Sequence, residues 1–166
     1  MKWIKKAFNR VIEFKDENDQ TIGTMTFKFL NRHIESELNH KKYFFDIDGF
    51  INKTATVLDS NRIELGKIEL GFSRERGVMT LNNGEKYIWK RKNWRMTEWE
   101  VLRDLPHTDN DLTILNYDRT RQFLSESGGI EISENIENQE LIILSGFFIG
   151  MYFLRKRRAG IIAAGS

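Results

Sequence analysis

Between Glu140 and Arg155 the chain carries 14 consecutive uncharged residues, LIILSGFFIGMYFL, and any fold it adopts must house them. At 1.5 Å per residue a helix of that length covers about 21 Å, against ~30 Å of hydrocarbon in a bilayer. It is short for a span and typical of a buried core helix. Leu141, Ile142, Ile143, Leu144, Phe147, Phe148, Ile149, Met151, Tyr152, Phe153 and Leu154 leave no polar stripe, so the helix needs apolar neighbours on every side. A barrel of strands closed around it would provide them. Gly146 and Gly150, four apart, suit either the close approach of another helix in a membrane or that of a barrel wall. The RKRR that follows reads either as a cytoplasmic stop signal or as cations against the negative end of an emerging helix.

The rest of the chain supports the barrel. From Val11 to about Ser133, short apolar runs alternate with polar turn clusters, the pattern of many short strands. Asp16–Gln20 and Asp59–Asn61 read as hairpin loops. Asn83-Gly84 reads as a type I′ turn joining Val78–Leu81 to Lys86–Arg91. The break of alternation at Gly66-Lys67 predicts a β-bulge. Another strand is expected over Trp94–Arg103, with Pro106 just beyond it. Gly128-Gly129 is expected as the turn between the last two strands. KKAFNRVIEF at the start reads equally as strand or short helix. The expectation is mainly β: one domain over residues 1–166, a closed antiparallel β-barrel of about ten to twelve strands enclosing a helix at about 137–158.

Composition narrows the function classes. With 26 basic and 24 acidic residues, a net charge of +2 offers no overall field, so any attraction to an anionic partner must come from local patches. No nucleic-acid-binding module is recognisable, and no nucleic-acid partner is expected. The absence of cysteine excludes disulfides, thiolate metal sites and thiol catalysis, and fits a reducing compartment. The amino terminus lacks the apolar core of a secretory signal, so a cytoplasmic protein, possibly peripheral to a membrane, is expected.

This layout of about ten antiparallel strands, with hairpins at Asn83-Gly84 and Asp59–Asn61 and a final apolar helix ending in basic residues, resembles the tubby-like domain. That superfamily includes the phospholipid scramblases and LURP-one-related proteins. The resemblance covers about residues 11–158, including the Gly-Lys-Ile and Asn-Gly-Glu-Lys-Tyr segments of the central strands. It implies a twelve-strand barrel threaded by its carboxy-terminal helix, and binding of anionic phospholipid head groups by basic side chains on the barrel surface.

The local candidates for such binding are Lys86, Lys90, Arg91, Lys92 and Arg95, interleaved with Trp89, Trp94 and Tyr87, and the run Arg155, Lys156, Arg157 and Arg158. Arginine and lysine donate to phosphate oxygens, and tryptophan favours the membrane interface. Alternation also permits Tyr87 and Trp89 to be core and the cations to be a solvated face. Further basic clusters are Lys2/Lys5/Lys6/Arg10 and His40/Lys41/Lys42. Glu131, Glu134, Glu137 and Glu140 lack the spacing of a calcium loop, and no metal or cofactor is expected. The missing cysteines also remove the acylated cluster of animal scramblases, which argues against scrambling. His33, His40 and His107 form no metal motif, and SESGG at Ser125–Gly129 is neither a nucleophile elbow nor a phosphate loop. Asp46 and Asp48 are a carboxylate pair suited to a metal or to acid–base work, or else a loop edge at Gly49. The expected function is non-enzymatic engagement of anionic phospholipid or a small amphiphile. The alternatives are a soluble interaction scaffold and a β-domain anchored by its last helix.

Overall fold

Thirteen strands and one helix make up the structure, a computed structural model that describes all residues except 8, 28–31, 50–52, 72–75, 106–110 and 165–166, with helix side chains described to residue 159. In chain order the strands are β1 (Lys2–Lys6), β2 (Val11–Lys15), β3 (Thr21–Phe27), β4 (His33–Leu38), β5 (Lys41–Asp48), β6 (Lys53–Leu58), β7 (Glu64–Gly71), β8 (Arg76–Leu81), β9 (Lys86–Arg91), β10 (Glu98–Arg103), β11 (Leu112–Asp118), β12 (Thr120–Arg121) and β13 (Ser125–Ile132). Each long strand pairs antiparallel with its sequence neighbour, and β1 pairs with β13 from Lys2↔Gly129 to Lys6↔Ser125. Twelve strands therefore close a barrel. The two-residue β12 takes the edge of β13 that β11 leaves free, at Thr120↔Ser127 and Arg121↔Glu126. Helix α1 (Gln139–Ala164) runs through the barrel and extends beyond the predicted limit near residue 158.

Alternation fills the interior from both sides. Trp3, Phe14, Phe45, Trp89, Trp99 and Tyr117 point inward from six strands and are essentially inaccessible. They meet the helix directly. Phe147 sits edge-on to Trp3 and Phe14 at 5.1 Å, Phe148 stacks on Phe45 at 4.7 Å, and Phe153 lies 5.2 Å from Trp89. Nearly every apolar side chain from Leu141 to Leu154 is buried, Tyr152 alone being partly exposed. The segment that resembled a short membrane span thus spends its apolar surface on the barrel wall, at about 1.5–3 kcal/mol for each large side chain. Among the described residues, no helix is long and apolar enough to cross a membrane.

Three hairpins share one loop geometry. In Asp16–Gln20, Asp59–Ile63 and Leu81–Glu85, the first residue's N–H donates to the fifth residue's carbonyl, the fourth residue's N–H returns to the first carbonyl, and the fourth residue has positive φ: Asp19, Arg62 and Gly84. This is a three-residue loop built on a tight turn plus a left-handed residue. Asn83-Gly84 is therefore not the expected type I′ pair, because only Gly84 has positive φ. The two-residue turn with positive φ at both positions is Asn39–His40, between Leu38 and its partner Lys41. The bulge falls one residue before the expected Gly66-Lys67, at Leu65, as Val57 pairs with Gly66 and Leu58 with Glu64.

Two further expectations fail for identifiable reasons. Gly128 and Gly129 lie inside β13, not in a turn. A Cβ on Gly128 would sit 2.7 Å from Trp3 Nε1, and one on Gly129 would sit 2.5 Å from Asp118 Oδ2. Glycine is there for close approach rather than for turning. The strand expected from Trp94 begins only at Glu98, because Asn93 captures the Thr97 N–H at 3.0 Å and Met96, at positive φ, is tucked into the core. The amino-terminal segment is two strands and not a helix. Pro106 and His107 lie outside the described residues.

Candidate functional site

Because every long strand reverses direction, the connecting segments divide between two ends of the barrel. The helix begins at the upper end, where Glu140 accepts from Lys41 Nζ at 3.0 Å and Asn39 Nδ2 at 3.4 Å. It leaves at the lower end, where the RKRR run is fastened to the rim. The Arg155 guanidinium lies 3.9 Å over the Phe27 ring at the end of β3. Arg157 donates to the Trp94 carbonyl in the β9–β10 connection, and Arg158 pairs with Glu126 at the start of β13.

Glu126 is a single carboxylate among cations. Arg119 approaches it at 4.0 Å, and both side chains are only 10% exposed. Burial is the main influence lowering the Lys5 ammonium; Glu126 opposes it, while Arg155 and Arg158 add to it. Burial likewise lowers the Arg119 guanidinium. Burial, reinforced by the charge of Arg158 and opposed by Glu126, brings Arg155 down to about 10. Four cations, three of them lowered by burial, thus surround one carboxylate at the rim.

The wider charge distribution follows the same division. At the lower end the described residues between the long strands (7, 9–10, 32, 49, 92–97 and 119–124, the short β12 included) carry Arg10, Arg32, Lys92, Arg95, Arg119 and Arg121, with no aspartate or glutamate among them. Arg155, Lys156, Arg157 and Arg158 join them there. At the upper end the described connecting residues carry Asp16, Glu17, Asp19, Asp59, Glu85, Asp104, Asp111, Glu134 and Glu137, against Arg62 and His40. The contrast is one of connecting segments: the strand termini carry Asp48, Glu98, Asp118 and Glu126 at the lower end and Lys2, Lys15, Lys41, Lys86 and Arg103 at the upper.

The lower end also carries exposed apolar side chains. Trp94 is 73% exposed, with the Arg95 guanidinium 5.2 Å over its ring. Phe123 and Leu124 protrude from the turn between β12 and β13. A notch of about 120 Å³ beside them is lined by Lys5, Lys6, Arg121, Gln122, Phe123 and Glu126, among others.

The predicted candidates separate accordingly. Arg91 at the end of β9, Lys92, Trp94, Arg95 and Arg155–Arg158 gather at the lower end. Lys86 starts β9 at the acidic upper end, beside Glu85 and Asp104. Lys90 pairs with Asp111 at 3.2 Å. Trp89 is 1% exposed and packs on Phe153, so it is a core residue and offers nothing to a head group. Sequence reasoning missed Arg119, Arg121, Phe123, Leu124 and Glu126. The only local signal was the pair of arginines running into two consecutive apolar residues in RTRQFLSE. Asp46 of the carboxylate pair is held by His33 Nδ1 at 2.6 Å and faces Arg62 at 3.9 Å. Among the described residues, no group of three or more His, Asp or Glu side chains is arranged to hold a metal.

The geometry defines a helix-filled β-barrel with a cationic, aromatic-bearing rim at one end. No family model, curated protein or solved structure matches the chain.

Proposed function

We propose that this chain is a non-enzymatic, membrane-peripheral domain of tubby-like layout that engages anionic phospholipid head groups through the lower end of its barrel. The observation that carries this reading is the contrast between the connecting segments of the two ends. Cations occupy the described lower-end connections without a carboxylate among them, beside the solvated Trp94, while the described connections of the far end are predominantly acidic. Each basic residue held close to an anionic leaflet contributes about 1 kcal/mol, so a rim of this kind suffices for reversible attachment. A ligand enclosed in the barrel is disfavoured, because α1 fills the interior.

Flotation of the intact chain with phosphatidylserine-containing and with pure phosphatidylcholine vesicles, at low and high salt, tests the reading. It predicts attachment to the anionic vesicles only, weakened by salt. Absence of flotation under every condition would overturn it in favour of an interaction scaffold.

A further inference from the structure

The turn between β12 and β13 presents its apolar residues outward without leaving them loose. Phe123 is 99% exposed and Leu124 60% exposed. Their backbone is nevertheless fixed. Gln122 N–H donates to Ser125 O at 2.8 Å, Ala7 N–H donates to Leu124 O at 2.7 Å, and β12 pairs with β13 at Thr120↔Ser127. A phenylalanine and a leucine held adjacent in water on an ordered turn cost solvation free energy that a nonpolar partner would recover. The surroundings identify the partner's chemistry. Lys5, Lys6 and Arg121 line the notch beside Phe123 together with the one carboxylate Glu126, itself paired with Arg158, so the apolar tip stands next to a net-cationic cluster. That pairing fits an anionic bilayer, with acyl chains beyond a layer of phosphates.

We infer that the β12–β13 turn is a wedge: on an anionic membrane, Phe123 and Leu124 enter the acyl-chain boundary while Lys5, Lys6 and Arg121 remain at the phosphates. This rests on the head-group reading above and adds to it an orientation, with the barrel end-on, the helix carboxy-terminal end toward the bilayer and the acidic end away. It also adds a component of binding that salt does not screen.

The chain has no cysteine, so one introduced thiol is a unique labelling site. Phe123→Cys, and Ser60→Cys in the β6–β7 loop at the upper end, are each labelled with an environment-sensitive fluorophore. Mixed phosphatidylserine and phosphatidylcholine vesicles are then added, with co-sedimentation measured in parallel. The expected result is a blue shift and several-fold brighter emission at position 123, protected from aqueous iodide, with position 60 unchanged. In the unlabelled double variant Phe123→Ala/Leu124→Ala, attachment should survive at low salt and be lost at a salt concentration that the unmodified chain withstands. Co-sedimentation with no change at position 123 would overturn the wedge and leave head-group binding standing. No co-sedimentation of the unmodified chain would overturn both. A blue shift at position 123 without vesicles, rising with protein concentration, would mark a contact between copies and overturn the wedge.

Discussion

Gly150 lies so close to the indole of Trp99 that a Cβ on it would sit 2.7 Å from Trp99 Cε2, and one turn earlier a Cβ on Gly146 would sit 2.5 Å from Tyr117 Oη and 2.6 Å from Val101 Cγ2. The two glycines form the groove into which β10 and β11 press Trp99 and Tyr117, themselves stacked at 5.5 Å. Tyr117 Oη then donates to the Ile143 carbonyl at 2.9 Å, fixing the helix against that wall. The four-residue glycine spacing serves contact between helix and barrel.

Gly150→Ala and Gly146→Ala are therefore expected to destabilise the protein. Alanine in an open helix position gains about 1 kcal/mol over glycine. Here the methyl meets the Trp99 ring at Gly150, and the Tyr117 hydroxyl and a Val101 methyl at Gly146, and overpacking costs about 1–3 kcal/mol. Denaturant midpoints of the two variants measure the sign. A midpoint above that of the unmodified chain would mean the wall yields.

Phe148 tests the helix as a core element. It is fully buried and stacks on Phe45. Phe148→Ala should cost about 3–5 kcal/mol. Phe148→Asp should give no folded protein, because the carboxylate would lie unpaired inside the barrel. Circular dichroism and thermal unfolding check both, and a stable, soluble Phe148→Asp variant would refute the central placement of α1.

Two upper-end carboxyls make stability depend on pH. Burial acts to raise Glu140, but hydrogen bonds from Lys41 and Asn39, with the charge of Lys41, outweigh it and hold the group below 4.5. The Asn83 hydrogen bond, aided by Arg103 and Tyr87 against an opposing effect of burial, likewise lowers Glu85. A carboxyl lowered on folding contributes stability that is present above its unfolded value and lost as pH falls through the folded one. The denaturant midpoint should thus decline as pH drops below 4.5, and Glu140→Gln should flatten part of that decline.

Glu126→Gln removes the carboxylate shared by Arg158 and Arg119. The arginines and Lys5 would be left facing one another, with Arg119 largely buried. A loss of about 1–3 kcal/mol is expected, mostly through Arg119. Added salt should restore part of it by screening the remaining repulsion, which thermal unfolding at two ionic strengths will read.

Much of this architecture was legible in the residues. An all-round apolar 14-residue segment demanded complete enclosure, and alternating strands in number sufficient for a barrel supplied it. The errors came where a residue's role depends on a distant partner. Gly128-Gly129 looked like a turn because nothing local reveals Trp3 and Asp118 across the sheet. Asn39–His40 makes the tight turn although Asn83-Gly84 has the better composition for one. The site was legible only in part for the same reason. Lys92, Trp94, Arg95 and the RKRR run are contiguous clusters, whereas Arg119 joins them through the β10–β11 pairing that sets its N–H on the Thr97 carbonyl, and Arg121 and Phe123 meet Lys5 and Lys6 only because closure of the barrel brings β13 beside β1. Trp89 and Lys86 share a strand with true rim residues, yet one points inward and the other lies at the opposite end.

The most direct test of the account compares vesicle flotation of the intact chain, of Lys92→Glu/Arg95→Glu at the lower end, and of Lys86→Glu at the upper end, with thermal unfolding confirming that all three are folded. Loss of two surface cations should weaken binding to phosphatidylserine vesicles by about thirtyfold or more, and Lys86→Glu should bind as the unmodified chain does. Equal loss in both variants, or no effect in either, would contradict attachment through the basic end of the barrel.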